Sequence, residues 1–179
     1  MPNFEKAVFF TAEKLAEANA ETDAHLAFRN QLGINIDKIK EIEFPNVIEK
    51  IWRYIQSNNY VFEKMVFDDF CQISSDISNP NRKLTDFEKI HSIYTILNLI
   101  GYMPEKKVKN ERKFIASDRD ISHVAYASYC HYFITNDERL GNKSRAIYEY
   151  LNIPTEVLEV PLLKKPLQRR GFSYLRFKS

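Results

Sequence analysis

Three aspartates in the carboxyl-terminal half of this 179-residue chain have the spacing of a candidate acidic site. Asp118 and Asp120 follow the apolar run 114–116. Asp137 follows a second apolar run, residues 132–135. Carboxylates that lie close together repel one another, and a divalent cation with oxygen ligands relieves that repulsion. The chemistry that such a site would support is metal-assisted hydrolysis of phosphodiester bonds.

The segment around these aspartates alternates between two hydrophobic periods. Short runs with aromatic and β-branched residues indicate buried strands, and apolar residues three or four positions apart indicate helices between them. The pattern predicts a strand, a helix, a strand, a helix and a strand, over residues 114–116, 121–128, 132–135, 142–151 and 155–160.

The predicted β-α-β-α-β order fixes where the acids would lie. Strands that single helices connect run parallel, and such crossovers are almost always right-handed. The carboxyl ends of parallel strands meet at one edge of the sheet, so Asp118, Asp120 and Asp137 would converge there. The alternative is that these aspartates cap the helices that follow them, a common role for aspartate. Spacing alone leaves both interpretations open.

Residues 120–123 with Ala127, followed by residues 133–137 and Leu140, are similar to the carboxyl-terminal half of a PIN-like domain. The family pattern is an aspartate that opens a helix, small residues along that helix, and a strand that ends in Thr-x-Asp before a further helix. The likeness covers residues 113–160.

This resemblance implies a fold class for the whole chain. The expected fold is α/β, a PIN-like three-layer α/β/α arrangement with a short parallel sheet in the carboxyl-terminal half and a largely helical amino-terminal half. Residues 1–179 would form a single domain, with a mostly helical part, the β-α-β-α-β unit and a basic aromatic tail over residues 1–104, 113–160 and 161–179.

The resemblance also implies an activity and roles for residues. PIN-like domains are Mg²⁺- or Mn²⁺-dependent ribonucleases, often toxins or RNA-processing enzymes. Asp120 and Asp137 would be metal-binding acids, Asp118 an additional one, and Thr135 would position a ligand or water. RNA is the implied partner.

One part of the family pattern has no counterpart near Met1. PIN-like domains begin with a hydrophobic strand that ends in an aspartate. The run 65–67 before Asp68 is the nearest match, but residues 61–77 have a helical period. The alternative function is therefore a catalytically inactive PIN-like subunit that binds RNA or scaffolds a protein partner, such as an antitoxin or a second copy.

Two groups of basic residues suit nucleic acid. Lys143 and Arg145 open the helix after Asp137 and could meet phosphate there. Arg169 and Arg170 lie in a tail that mixes basic and aromatic residues, which suits single-stranded nucleic acid but equally fits a solvated tail or an edge strand.

Composition narrows the remaining function classes. Only four glycines occur, which argues against a glycine-rich phosphate loop, and a net charge of +2 does not by itself indicate a nucleic-acid binder. The two cysteines and the lack of a secretory signal predict a reducing cytoplasm. No apolar run approaches the roughly 20 residues that span a bilayer, so no membrane association is expected.

The amino-terminal half should supply the rest of the core. Helices are predicted over residues 4–31, 45–57, 61–77 and 85–100. Thr85 and Glu88 have the spacing of a capping box, and Gly101 suits the end of that helix. The predicted shared core consists of Trp52, Phe70, Tyr94, Leu97, Ile121, Val124, Phe133 and Ile147.

Overall fold

A computed structural model describes residues 24–74, 82–104 and 112–159, and of residues 24, 25 and 112–118 it describes the backbone alone. The α-helices are α1 Ala24–Gln31, α2 Ile36–Lys40, α3 Val47–Asn58, α4 Phe67–Phe70, α5 Asp86–Ile100, α6 Arg112–Ala127 and α7 Glu138–Leu151. A 3₁₀ helix spans Tyr60–Phe62, and the strands are β1 Tyr132–Thr135 and β2 Glu156–Glu159.

The two strands pair in parallel, with Tyr132 opposite Glu156 and Thr135 opposite Glu159. Helix α7 connects them, so this part of the chain is a β-α-β unit, and both strands lie where the sequence predicts strands. Helix α7 begins at Glu138, four residues before the predicted start at 142. The described residues therefore combine helices with a small parallel sheet, which is an α/β architecture.

The strand predicted over residues 114–116 is wrong, because these residues lie inside α6. An apolar run of three residues is too short to distinguish a strand from a helix. Phe114 lies seven residues before Ile121, two helical turns away on the same face, so the helical period continues backwards through the run. Neither glycine nor proline interrupts α6.

The continuous helix predicted over residues 61–77 is also wrong within its described part. The chain forms the 3₁₀ helix and then the single turn of α4, and Gln72 has a positive φ of 56° that ends it. Side chains of α3 hold the segment between them: Trp52 Nε1 donates to the Met65 carbonyl at 3.1 Å, and Gln56 Nε2 donates to the same oxygen at 3.0 Å.

The other predicted helices lie close to where the sequence puts them. Helix α1 matches the end of the helix predicted over 4–31, whose part before residue 24 lies outside the described residues. Helix α3 corresponds to the one predicted over 45–57. Helix α5 has the predicted capping box, in which Thr85 N donates to Glu88 Oε2 at 2.8 Å, and Gly101 ends it in the left-handed conformation with φ 87°.

A hydrophobic core joins the amino-terminal helices to the β-α-β unit. Helix α5 runs through it, with Ile90, Ile93 and Leu97 fully buried. The predicted core is confirmed: its eight members lie in this cluster or pack against it, namely Trp52, Phe70, Tyr94, Leu97, Ile121, Val124, Phe133 and Ile147.

Two hydroxyl groups fix α6 beside the β-α-β unit. The hydroxyl of Tyr148 on α7 donates to the Val124 carbonyl at 2.6 Å. Buried Thr155, just before β2, has its hydroxyl 2.8 Å from the Cys130 carbonyl and 3.3 Å from that of Ala127. The carboxyl end of α6 therefore lies beside the amino ends of both strands.

Removal of a buried hydroxyl tests the packing of the core. Tyr102 is fully buried, and its hydroxyl has no hydrogen-bond partner in the described structure. Burial raises the pKa of this phenol to about 12, partly offset by Arg145 nearby. A buried polar group without a partner costs about 1–3 kcal/mol, so Tyr102→Phe should raise the free energy of unfolding in urea by about 1 kcal/mol.

Tyr148→Phe is the matched control for this substitution. The Tyr148 hydroxyl makes a hydrogen bond, so its loss leaves the Val124 carbonyl with one bond fewer and should lower the free energy of unfolding. Destabilisation by both substitutions would contradict the account of Tyr102.

Candidate functional site

Asp137 directly follows β1 and begins helix α7 as its N-cap. Its Oδ1 accepts hydrogen bonds from Arg139 N at 2.9 Å and from Leu140 N at 3.2 Å. Both are backbone donors that the helix itself cannot satisfy. The capping role that the sequence offered as the alternative is therefore confirmed for Asp137.

The cap uses one of the two carboxylate oxygens. Asp137 is exposed, and the hydrogen bonds found among the described residues involve only Oδ1. Asp137 directly follows β1, so its carboxylate lies at the carboxyl end of a parallel strand, where a parallel sheet commonly meets its ligand. Capping and cation binding are thus compatible for this residue.

Thr135 sets the backbone conformation in front of Asp137. Its Oγ1 accepts from Asp137 N at 3.1 Å, which forms a side-chain turn at the strand end. Its methyl group faces α7, because a Cβ added to Gly141 would meet Thr135 Cγ2 at 3.4 Å. Thr135 therefore holds the Asp137 backbone in place, whereas the sequence predicted that it positions a ligand or water.

Asp118 and Asp120 do not follow a strand, which corrects the predicted convergence of three acids at successive strand ends. Both lie on α6. Residues two apart on a helix lie about 200° apart around its axis, so the backbone of α6 separates these two positions. Asp120 is half-buried, and of Asp118 only the backbone is described.

The helix nevertheless brings Asp120 towards the level of Asp137. Asp120 lies seven residues before Ala127, a rise of about 10 Å along α6. Strand β1 rises by about 10 Å from Tyr132 to Thr135. Since α6 ends and β1 begins at the same short turn, we infer from these two rises that Asp120 lies near the height of the carboxyl end of β1.

These two acids define how a cation could be held. Within the ranges described, no three His, Cys, Asp or Glu side chains form a group that could hold a metal ion. Mg²⁺ commonly takes one or two carboxylates and completes its shell with water and phosphate. Asp137 and Asp120 are within that number, so a Mg²⁺ or Mn²⁺ ion held by them would take the rest of its ligands from water and phosphate.

Lys143 is buried, contrary to its predicted place on a nucleic-acid surface. The side chain is 1% exposed. Its ammonium group donates to Asn98 Oδ1 on α5 and lies 4.8 Å from the centre of the Tyr94 ring. An ammonium group in this position is closed off from solvent, so it cannot meet phosphate at the surface. It instead ties α5 to α7.

The sequence held a signal for this buried contact. Lys143 lies between Leu140 and Ile147 on the apolar stripe of α7, and Asn98 lies between Leu97 and Leu99 on α5. Polar residues at such positions need a partner, because burial of an unpaired polar or charged group is costly.

Arg145 is engaged within the fold. It forms a half-buried ion pair with Glu159 on β2 at 2.8 Å and donates to Asn142 Oδ1 at 2.9 Å. This arginine therefore links α7 to β2. Arg169 and Arg170 lie outside the described residues.

Substitution of Asp137 separates its two roles. Asp137→Ala removes the cap and should lower the free energy of unfolding in urea by about 1 kcal/mol. Asp137→Ser keeps a capping oxygen and should stay close to the parent protein, although the carboxylate is gone. Equal destabilisation by Ser and Ala would contradict the capping role.

A check for membrane-spanning helices and three comparisons with known proteins complete the description of the site. Among the described residues, no helix is both long and apolar enough to cross a membrane. Searches against protein-family models, curated proteins and solved structures found no match. The function of the site therefore has to be argued from its own residues.

Proposed function

We propose that this chain is a PIN-like, divalent-metal-dependent nuclease that hydrolyses phosphodiester bonds in RNA. The observation that carries the proposal is the exposed carboxylate of Asp137 at the carboxyl end of a parallel strand, with one oxygen left over from its capping role. The proposal includes the three-layer α/β/α arrangement of that family and a toxin or RNA-processing role.

The roles within this site are divided between two elements. Asp137 and Asp120 would hold Mg²⁺ or Mn²⁺, which would supply Lewis-acid stabilisation of the phosphoryl oxygens and a more acidic water. Thr135 keeps Asp137 at the strand end through the bond to its backbone nitrogen. Asp118, which also lies on α6, is the further acid of the proposal.

The rigid backbone around these two acids supports this assignment. Asp137 is held by three backbone bonds, two to its own carboxylate and one from its nitrogen to Thr135. Asp120 lies one turn before Val124, whose carbonyl accepts the Tyr148 hydroxyl. Ligands held by such contacts need little reordering when a cation binds, which favours affinity.

A second function has its own supporting observation. The described residues offer two acids for the cation site and no group of three possible metal ligands. A site with only two protein ligands would hold a cation weakly. The alternative is therefore a catalytically inactive PIN-like subunit that binds RNA or scaffolds a protein partner, either an antitoxin or a second copy.

Cleavage of RNA in the presence of Mn²⁺ tests the first function. The full chain is incubated with end-labelled, unstructured RNA, with Mn²⁺ or with EDTA. Cleavage should require the metal, and Asp137→Ser should lower its rate by about 100-fold, since metal stabilisation of developing charge is worth several kcal/mol. The serine keeps the helix cap, so unfolding does not explain the loss.

Asp86→Ser is the control for this experiment, because Asp86 is an exposed acid in the first turn of α5, outside the rim. It should cleave at the parent rate. Metal-dependent cleavage that survives Asp137→Ser would overturn the assignment of the site. RNA binding without any cleavage would favour the inactive subunit.

A further inference from the structure

Strand β1 has an outer edge that no described strand covers. The sheet has two strands within the described part of the chain, so β1 pairs with β2 on one side only. Alternate residues of a strand direct their peptide groups to opposite edges. Because Glu156 N donates to the His131 carbonyl at 3.0 Å, the peptide groups of His131 point towards β2. The N–H and C=O groups of Tyr132 and Ile134 therefore point to the outer edge.

The side chains at this edge leave an apolar corner open to solvent. Thr135 and Val157 face α7, because a Cβ added to Gly141 would meet a methyl group of each. Tyr132 and Ile134 alternate with Thr135 and so project from the opposite face, where they are 54% and 53% exposed. An apolar edge with unpaired peptide groups is a surface on which a further strand can pair.

The other edge of the sheet is already occupied. Arg145 on α7 donates to the Val157 carbonyl at 3.5 Å and forms an ion pair with Glu159 at 2.8 Å. A charged side chain at a strand edge opposes pairing with a further strand. The outer edge of β1 is thus the edge at which this sheet can be extended.

The chain that follows β2 contains a segment suited to this edge. Residues 172–177 read Phe-Ser-Tyr-Leu-Arg-Phe and come directly after Gly171. Aromatic residues and a preceding glycine are typical of a strand that begins after a turn. In a strand, Phe172 and Tyr174 would lie on one face, and Leu175 and Phe177 on the other. The segment lies outside the described residues.

The end of β2 determines which way such a strand would run. Strand β2 ends at Glu159, beside the carboxyl end of β1, and the outer edge of β1 is two strand spacings or about 10 Å away. Residues 160–170 exceed this span several times over, since an extended chain covers about 3.3 Å per residue. A parallel strand would require a crossover back along the whole sheet, so the added strand should run antiparallel to β1.

The charges of this connection match the end of the sheet that it would cross. Asp137 and Glu138 are exposed at the carboxyl end of β1. Arg139 beside them is half-buried and donates to the Pro104 carbonyl at 3.2 Å. Residues 160–170 contain no acid and four basic residues, namely Lys164, Lys165, Arg169 and Arg170. Opposite charges would therefore meet where the connection passes over the strand ends.

We propose that residues 172–177 pair with the outer edge of β1 as an antiparallel strand, and that the basic connection 160–170 lies over the carboxyl ends of the strands. Tethering favours this occupant over a second copy or another protein. A segment on a short connection has an effective concentration of roughly millimolar, whereas another chain has to be supplied from solution. The pairing is independent of the proposed function. Its consequence for Asp137 rests on that function, because the connection would then regulate how a cation reaches the candidate site.

A disulfide with Cys130 tests the position of the strand. Cys130 is exposed two residues before β1 begins, and the other cysteine, Cys71, is buried. An antiparallel strand over 172–177 ends beside this amino end of β1. Lys178→Cys should therefore form an intramolecular disulfide with Cys130 in oxidised glutathione, measured by mass spectrometry of the denatured protein. Lys164→Cys, at the opposite end of the sheet, should react about tenfold more slowly or less.

Proline variants distinguish strand pairing from proximity alone. Neighbouring residues of a strand direct their N–H groups to opposite edges, so Tyr174→Pro combined with Leu175→Pro removes a donor towards β1 in either register. Placed in the Lys178→Cys protein, this pair of changes leaves every described residue intact and should slow the disulfide about tenfold. Tyr174→Val combined with Leu175→Val keeps the donors and the strand propensity and should not slow it.

The disulfide also fixes the connection over Asp137. The oxidised Lys178→Cys protein should bind Mn²⁺ roughly fivefold more weakly than the same protein with its exposed thiols alkylated, because nearby positive charge opposes a cation. Titration with Mn²⁺, followed by the electron paramagnetic resonance of the free ion, measures this difference without turnover.

Different results overturn different claims. Equal rates for Lys178→Cys and Lys164→Cys, or a rate that the prolines leave unchanged, would overturn the pairing with β1. A disulfide between two chains instead of within one would overturn the tail as the occupant in favour of a second copy. Equal Mn²⁺ affinity of the oxidised and alkylated proteins would overturn the position of the connection. Failure of the proposed function looks different: neither protein would bind Mn²⁺, and the disulfide rates would still support the pairing.

Discussion

The hydroxyl of Thr155 is the contact on which the geometry of the carboxyl-terminal half depends. It lies within hydrogen-bond distance of carbonyl oxygens from Ala127 to Cys130, where the backbone leaves α6 and has not yet entered β1. The Ala127 carbonyl also accepts from Cys130 N at 2.9 Å, so the Thr155 hydroxyl adds to the hydrogen bonds within this turn. By bonding to this turn from the start of β2, Thr155 fixes the corner between α6 and β1.

This corner determines how α6 lies relative to β1. We infer that α6 folds back from this corner alongside β1, which brings Asp120 towards the level of Asp137. Buried Lys143 stabilises the same arrangement from inside, because its bond to Asn98 holds α7 against α5. A buried charge of this kind is costly unless it is well paired. Lys143 therefore favours the packing of α7 on α5 that keeps its bond to Asn98.

The sequence predicted the elements whose period is unambiguous and failed where the pattern was short. Strand β1 and helix α5 were predicted because β-branched content and a capping box are local signals. The run 114–116 fits either period because it has only three apolar residues, so its own sequence does not distinguish a strand from a helix. The burial of Lys143 was not predicted, because lysine side chains are usually exposed. It could be predicted only if the apolar stripes of α7 and α5 were considered together. Which aromatic residues of α6 are exposed could not be predicted from the sequence, since exposure depends on what packs beside each residue.

The central claim is that Asp120 and Asp137 share one cation. Titration of the full chain with Mn²⁺, followed by the electron paramagnetic resonance of the free ion, tests this claim without RNA or turnover. The account expects one site whose affinity falls at least tenfold in Asp120→Asn and in Asp137→Ser and is unchanged in Asp86→Ser. Equal Mn²⁺ affinity in all these proteins, or loss in only one of the two rim variants, would contradict it.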